Sequence, residues 1–255
     1  MKTEVRSEYK KINTKFLVVD PLAQRELKPE WVNKIVKNYN PLLVNPIKVS
    51  FRDGKYYIID GHHTMAAIKK KNRGEDCLVE CKVFYGLTWL DECELFLLQT
   101  GDSHAVNIND KLRVKWNSAD PDVVNMVKLA EKAGFVIDFK GSKGYNRIVA
   151  LSTLVHIYNN MTADEYLDYL TLLKKTWGGA PESLSREILQ GLFLFYKAYH
   201  GKFKPQIFVK RLSKVSPAAI IRDGKVSSSP GATKYARQIL GHYNFHAQDR
   251  LPDLL

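Results

Sequence analysis

The spacing of hydrophobic residues changes from a helical to a strand period within the first sixty residues. Apolar residues recur every three or four positions over residues 32–39, which predicts a helix with Pro29 in its first turn. Apolar and polar residues alternate over residues 47–51, which predicts a strand. Asp53-Gly54 then supplies a two-residue turn, and residues 56–59 form the returning strand of a β-hairpin.

The second strand of this hairpin leads directly into a segment rich in small residues. Residues 64–69 have helix-forming composition, so Gly61-His62-His63 is expected at a strand-to-helix junction. A further strand is predicted over residues 78–85, and Thr88 with Asp91 has the spacing of a capping box that opens another helix. The first hundred residues therefore mix strands and helices.

Helical patterns dominate the second half of the chain. Residues 122–133 and 188–199 have helical composition, and Thr162 with Glu165 forms a second capping box. Residues 135–137 and 147–149 are expected to pair as a small hairpin. The pattern predicts an α+β protein with an N-terminal domain over residues 1–110 and a mostly helical, basic C-terminal domain over residues 111–255.

Composition narrows the class of protein. Hydrophobic residues make up 45% of the 255 residues, and none of the apolar runs approaches the roughly 20 residues that span a bilayer. Residues 1–6 lack the apolar stretch of a signal peptide, so we expect a cytoplasmic protein without a membrane partner. Three cysteines do not indicate a disulfide framework, and Cys81 falls on the apolar face of a predicted strand.

The positive charge is concentrated near the C-terminus. The chain has a formal net charge of +12, and residues 202–237 contain nine lysines and arginines but one acidic residue, a local charge of +8. Such a concentration is typical of a surface that contacts phosphate backbones, and it makes DNA the expected partner. The candidate contacts are Lys210, Arg211, Lys214 and Arg222. The alternative is an ordinary solvated lysine-rich face.

The strand-to-helix junction carries the candidate chemistry. Gly61 would let the backbone approach a ligand, and the first N–H groups of a helix suit a phosphate. His62 and His63 could donate further hydrogen bonds to that anion, and Thr64 adds a hydroxyl. Asp60 could hold Mg²⁺ or act as a general base. A helix cap or a partly buried polar cluster is the alternative.

Several segments resemble the domain shared by ParB partition proteins, sulfiredoxins and free-serine kinases. The likeness covers about residues 15–100 and is closest to ParB-like proteins of phages and mobile elements. The matching segments are Val19-Asp20-Pro21, Gln24-Arg25, Asn45-Pro46-Ile47-Lys48-Val49, Tyr57-Ile58-Ile59-Asp60-Gly61-His62-His63 and Ala66-Ala67.

The resemblance implies a ParB/sulfiredoxin-like fold that binds CTP, ATP or ADP with Mg²⁺. Arg25 and residues 61–64 would contact the nucleotide, although Thr64 replaces the arginine with which relatives contact phosphates. No cysteine lies within the motif, which argues against sulfiredoxin activity. In the kinase branch, Asp60 matches the catalytic aspartate and Glu26 could match a glutamate near the first helix.

Three hypotheses follow from the sequence. The first is a ParB-like protein that binds a nucleotide and DNA. The second is an enzyme, either a phosphotransferase or a Mg²⁺-dependent nuclease that uses Asp60. The third is a phosphate-binding scaffold whose C-terminal helices bind a protein partner. A homodimer is a further possible assembly under any of the three.

Overall fold

The computed structural model describes residues 5–98 and 108–255. The chain forms two compact units, Met1–Asp120 and Pro121–Leu255. The boundary expected from sequence, at residues 110 and 111, falls inside a helix of the first unit that covers Ile108–Asn117.

The first unit combines a mixed five-stranded sheet with helices. The elements in chain order are β1 (Arg6–Asn13), β2 (Leu17–Val18), α1 (Pro29–Lys37), β3 (Ile47–Arg52), β4 (Lys55–Asp60), α2 (His62–Lys71), β5 (Leu78–Tyr85), α3 (Trp89–Leu98) and α4 (Ile108–Asn117). The strand order is β1-β5-β3-β4-β2. Strands β1 with β5 and β3 with β4 are antiparallel, whereas β3 with β5 and β2 with β4 are parallel.

The hairpin predicted from the sequence is confirmed as β3 and β4. Asp53 and Gly54 have φ values of 52° and 74°, as the two central positions of a type I′ turn require. The apolar residues of the two strands enter a buried cluster that includes Ile47, Val49 and Cys81. The hairpin thus fixes the end of β4, where α2 begins.

The cysteines of the first unit are unpaired, as expected. Cys81 on β5 and Cys93 on α3 are buried, and burial raises the pKa of the Cys93 thiol to about 12 and that of Cys81 to about 11. Their thiolates are therefore scarce near neutral pH, and both residues act as core side chains.

The second unit is mostly helical. Its elements are α5 (Pro121–Lys132), β6 (Val136–Ile137), β7 (Arg147–Ile148), α6 (Leu151–Asn159), α7 (Ala163–Trp177), α8 (Arg186–Tyr199), α9 (Pro205–Leu212), α10 (Pro217–Val226) and α11 (Thr233–Asn244). The predicted capping box is present at the start of α7, where Glu165 and Thr162 bond reciprocally. The sheet of the first unit and the helices of both units agree with the α+β class expected from the sequence.

The prediction that residues 135–137 and 147–149 pair as a small hairpin is wrong. Strands β6 and β7 are parallel, because the chain reverses once more before β7. Asp138 accepts hydrogen bonds from the N–H groups of Lys140 and Gly141, and Asn146 adopts a φ of 60° just before β7. The connection therefore closes into a loop instead of a two-strand turn.

Two neighbouring tyrosines fill the core of the second unit in different ways. The hydroxyl of Tyr169 donates a hydrogen bond of 2.8 Å to the Leu189 carbonyl. The hydroxyl of Tyr166 is buried and has no hydrogen-bond partner within the described part of the chain. Both rings are fully buried, so helix α7 is anchored to the core at successive turns.

Candidate functional site: the cavity at the start of helix α2

A cavity of about 440 Å³ opens where β4 ends and α2 begins. Helix α1 and residues 38–46 form the opposite wall. The lining includes the aromatic side chains of Trp31, Tyr39 and Phe96 and aliphatic side chains such as Ile35 and Leu43. The volume is within the range of small-molecule sites, which are mostly apolar with a few placed polar groups.

Gly61 lies at the turn between β4 and α2. Its φ of 98° belongs to the left-handed region, and a Cβ at this position would lie 3.3 Å from Cγ1 of Ile47. No side chain caps the N-terminus of α2. The first N–H groups of this ten-residue helix therefore have no capping acceptor, and residues 61–64 line the cavity.

His63 is buried and already bonded through one ring nitrogen. Its Nε2 accepts a hydrogen bond of 3.0 Å from the N–H of Lys28, so a neutral ring carries its proton on Nδ1. Burial, together with the charges of Arg25 and Lys28, lowers the pKa of His63 to about 4. The ring is uncharged at neutral pH and lies 5.3 Å from the Trp31 ring.

His62 presents a nitrogen that lacks a protein partner. Its Nδ1 atom is buried and makes no hydrogen bond within the described residues. Burial lowers the pKa of His62, although a hydrogen bond to the backbone of Arg25 partly opposes the shift. That bond uses Nε2, because Nδ1 has no partner, so the neutral ring offers Nδ1 as an acceptor.

The sequence suggested that both histidines donate hydrogen bonds to an anion. This expectation stays a prediction, and a hydrogen bond donated by the neutral His63 ring would use Nδ1, because Nε2 accepts from the N–H of Lys28. The positive charge in the lining comes from Arg25 and Lys34.

Helix α4 holds the segment that carries Arg25. Arg113 donates hydrogen bonds to the carbonyls of Pro21 and Gln24, and Asn117 donates one of 3.0 Å to the carbonyl of Leu22. The buried Gln24 side chain in turn donates a hydrogen bond of 2.9 Å to the Ile59 carbonyl of β4. The segment is thus fixed from both sides, and Arg25 stacks 5.0 Å from the centroid of Trp31.

Asp60 is the acidic residue of the lining. Its carboxylate forms an ion pair of 3.4 Å with Lys48 and is one-third exposed. Glu26, the other predicted catalytic residue, is exposed and does not line the cavity. Within residues 5–98 and 108–255, no three His, Cys, Asp or Glu side chains group as metal ligands. One carboxylate suits Mg²⁺ only when ligand phosphates complete the coordination.

Lys34 and the amides of Asn38, Asn40 and Asn45 also line the cavity, and the sequence did not point to them. The amides come from residues 38–46, which a hydrophobic pattern marks only as a connection. Lys34 lies on the exposed side of α1, where a lysine is ordinary. The sequence predicted the apolar face of helix α1. It did not predict that the opposite, polar face borders a cavity.

One family model covers most of the chain. It is described as a family of unknown function (DUF6551), and it matches residues 19–253. The chain belongs to this family. The match includes both compact units, so the cavity and the helical unit are parts of one DUF6551 architecture.

A comparison of this DUF6551 protein with curated proteins finds no match. A solved structure with some likeness is the C-terminally truncated chromosome-partitioning protein ParB from Caulobacter crescentus, complexed with CTP-gamma-S. The TM-score is 0.30 at 15% identity, over 91% of this chain and 99% of that chain. The ParB/sulfiredoxin superfamily stays a prediction from the sequence motif.

The residues predicted to contact DNA differ in how freely they can do so. Lys210 and Lys214 are exposed on and just after α9. Arg211 donates a hydrogen bond to the Tyr243 carbonyl and packs 5.6 Å from that ring, which ties α9 to α11. Arg222 is exposed but pairs with Asp223 through two hydrogen bonds. The DNA contact of Arg211 stays a prediction, and the residue also joins these two helices.

None of the helices in the described parts of this DUF6551 protein is long and apolar enough to cross a membrane.

Proposed function

We propose that this protein binds a nucleotide in the cavity at the start of α2. The observation that carries the proposal is the convergence of an uncapped helix N-terminus with Arg25 and Lys34 around one cavity. Helix N–H groups and cations favour phosphate groups, and the aromatic and aliphatic wall suits a base. CTP, ATP and ADP are the candidate ligands that the sequence motif suggests.

Mg²⁺ enters this proposal through Asp60. A single carboxylate and the phosphates of a nucleotide are a usual ligand set for this ion. Asp60 would then exchange its ion pair with Lys48 for the metal. We expect Mg²⁺ to strengthen the binding of di- and triphosphates and to have little effect on a monophosphate.

The proposal is tested by calorimetry and thermal shift with CTP, ATP, ADP and inorganic phosphate, each with and without Mg²⁺. A ligand that binds only the folded state stabilises it by mass action and so raises the melting temperature. At a ligand concentration of 100 times Kd the free energy of unfolding rises by about 2.7 kcal/mol. Failure of every nucleotide to bind would overturn the proposal.

Two variants of helix α1 locate the site. Lys34 lines the cavity. Lys37 is an exposed residue of the same helix and lies outside the lining. We expect Lys34→Ala to weaken nucleotide binding roughly tenfold, as the loss of one charge-assisted contact does. Lys37→Ala, which removes the same charge from the same helix, should bind like the original protein. Equal effects of the two variants would place the ligand elsewhere.

We also propose that the C-terminal unit contacts DNA or another nucleic acid. The support is the concentration of basic residues over 202–237 and the exposure of Lys210 and Lys214. Binding through phosphates must weaken steeply as salt rises. Absent or salt-independent binding of every nucleic acid tested would refute this part of the function.

An enzymatic function has less support. A phosphotransferase or nuclease that used Asp60 and Glu26 together would need both side chains at the reacting atoms. Glu26 is exposed and lies outside the cavity lining. Asp60→Asn should therefore alter Mg²⁺-dependent binding, and a loss of phosphoryl transfer or nuclease turnover in this variant would revive the enzymatic hypothesis.

A further inference from the structure

A groove of about 880 Å³ lies in the second unit, away from helix α9. Its walls come from residues 143–150, from residues 181–187 around the start of α8, and from one side of α10. These three segments are far apart in the sequence. Only α10 belongs to the basic stretch 202–237.

Cationic side chains from all three segments border the groove. Arg147 is paired with Asp138 at 2.8 Å, and Arg222 is paired with Asp223. The other three cations are exposed and make no ion pair or side-chain hydrogen bond within the described residues: Lys143, Arg186 and Lys225. These three side chains can bind an external anion without breaking an ion pair or a hydrogen bond of the protein.

The groove as a whole carries a positive excess. Its lining contains five cationic side chains, with Arg147 and Arg222 as the two paired ones, against Glu182 and Glu187. The three unpaired cations outnumber these two glutamates, and a concave surface with an excess of one sign concentrates counter-ions of the opposite sign, so this charge favours a polyanion.

The groove also has an apolar part, which we call its floor and which is formed by Val149, Leu184, Ile221 and Val226. Val226 is 86% exposed. Exposed apolar surface framed by charged residues is typical of interaction sites. The occupant must therefore offer both negative charges for the rim and uncharged surface for the floor.

We propose that this groove binds single-stranded nucleic acid, with phosphates on Lys143, Arg186 and Lys225 and unpaired bases on the apolar floor. The inference rests on the proposed contact with nucleic acid and gives that contact a place and a partner. A duplex turns its sugar–phosphate backbone outward and keeps its base faces stacked inside, so it cannot cover the floor. Every base of a single strand has a face to offer.

The test is fluorescence anisotropy with a labelled single strand and the matching duplex, at several salt concentrations. The groove variant is Lys143→Gln/Arg186→Gln/Lys225→Gln. The matched control is Lys128→Gln/Lys132→Gln/Lys175→Gln, which removes the same number of charges from exposed positions of the second unit outside both the groove and residues 202–237. A charge-conserving variant, Lys143→Arg/Arg186→Lys/Lys225→Arg, separates lost charge from misfolding, and melting temperatures confirm that each variant folds.

We expect the original protein to bind the single strand more tightly than the duplex. The groove variant should bind it at least about tenfold more weakly, with a salt slope smaller by about 2, since each phosphate contact contributes roughly 0.7. The control and the charge-conserving variant should stay within about threefold of the original.

The inference is overturned by tighter binding of the duplex, by a groove variant that binds like the original, or by a larger loss in the control. In each of these cases salt-sensitive binding by the original protein would leave the proposed nucleic-acid contact standing. Absence of binding by the original protein at low salt would refute both. Equal displacement of the single strand by an acidic peptide would also overturn the assignment, because the groove would then recognise charge without bases.

Discussion

The buried ring of His63 should make the stability of the first unit depend on pH. In the folded state burial and nearby cations lower the pKa of His63 from 6.5 to about 4. In the unfolded chain the ring titrates near its ordinary pKa, so between pH 6.5 and pH 4 the unfolded state binds more protons. Stability is complete above pH 6.5 and is lost as the pH falls towards 4.

The size of the effect follows from the two pKa values. A pKa shift of this size lowers the free energy of unfolding by about 3 kcal/mol once the pH is below both pKa values. Between pH 7 and pH 5 the same linkage gives a loss of about 2 kcal/mol, because at pH 5 the unfolded ring is almost fully protonated and the folded ring is not. His63 is 7% exposed, so solvent screens little of this.

The variant His63→Gln separates the contribution of His63 to the pH dependence of stability from the contribution of the carboxylates. A glutamine can accept the hydrogen bond from Lys28 but does not titrate. Urea denaturation of both proteins at pH 7 and pH 5 should show that the original loses about 2 kcal/mol more than the variant. His156→Gln, at an exposed position in the second unit, is the matched control variant, and its urea denaturation at the two pH values is compared with that of the original protein.

Parallel losses in the original and in His63→Gln would refute the linkage. A ring-proton NMR titration of His63 with a midpoint near 6.5 would refute the reasoning at its source, since it would mean that the ring is not held neutral.

Three further predictions concern single side chains. Gly61→Ala should lower the free energy of unfolding by about 1–3 kcal/mol in urea denaturation, because the left-handed backbone and the nearby Ile47 side chain both oppose a Cβ. Tyr166→Phe removes a hydroxyl without a hydrogen-bond partner and should leave stability unchanged or raised, whereas Tyr169→Phe should cost about 1 kcal/mol; the reverse order would contradict the contacts. Arg113→Ala should weaken nucleotide binding roughly fivefold in calorimetry while Lys111→Ala does not, and equal affinities would mean that α4 does not position the Arg25 segment.

Much of the first unit could be predicted because its elements have strong local signals. The Asp53-Gly54 turn and the alternation around it specify the hairpin, and the hairpin specifies where α2 begins. Strand β1 was not predicted, since only Ile12 among its eight residues is buried and its sequence RSEYKKIN has no apolar alternation. Its strand conformation comes from pairing with β5, which is a tertiary contact.

The site was harder to predict than the fold because its electrostatics depend on backbone groups. The proton positions on His62 and His63 are set by main-chain atoms of Arg25 and Lys28, and no side-chain pattern contains that information. The same reason applies to Arg211, whose acceptor is the carbonyl of Tyr243 on another helix. Counting charges along the sequence located a basic stretch but not which of its cations are already engaged.

The strand order also dictates when each part of the first unit can form. Strands β3 and β4 are joined by two residues and can pair locally, whereas Asn13 of β1 must wait for Leu78 of β5. Closing so long a loop costs entropy that a short turn does not, so the edge of the sheet is completed late. Of the five strands in this sheet, β1 is synthesised first and therefore spends the longest time unpaired. Its lysines, Lys10 and Lys11, give it the charge that keeps an unpaired strand from associating with other chains.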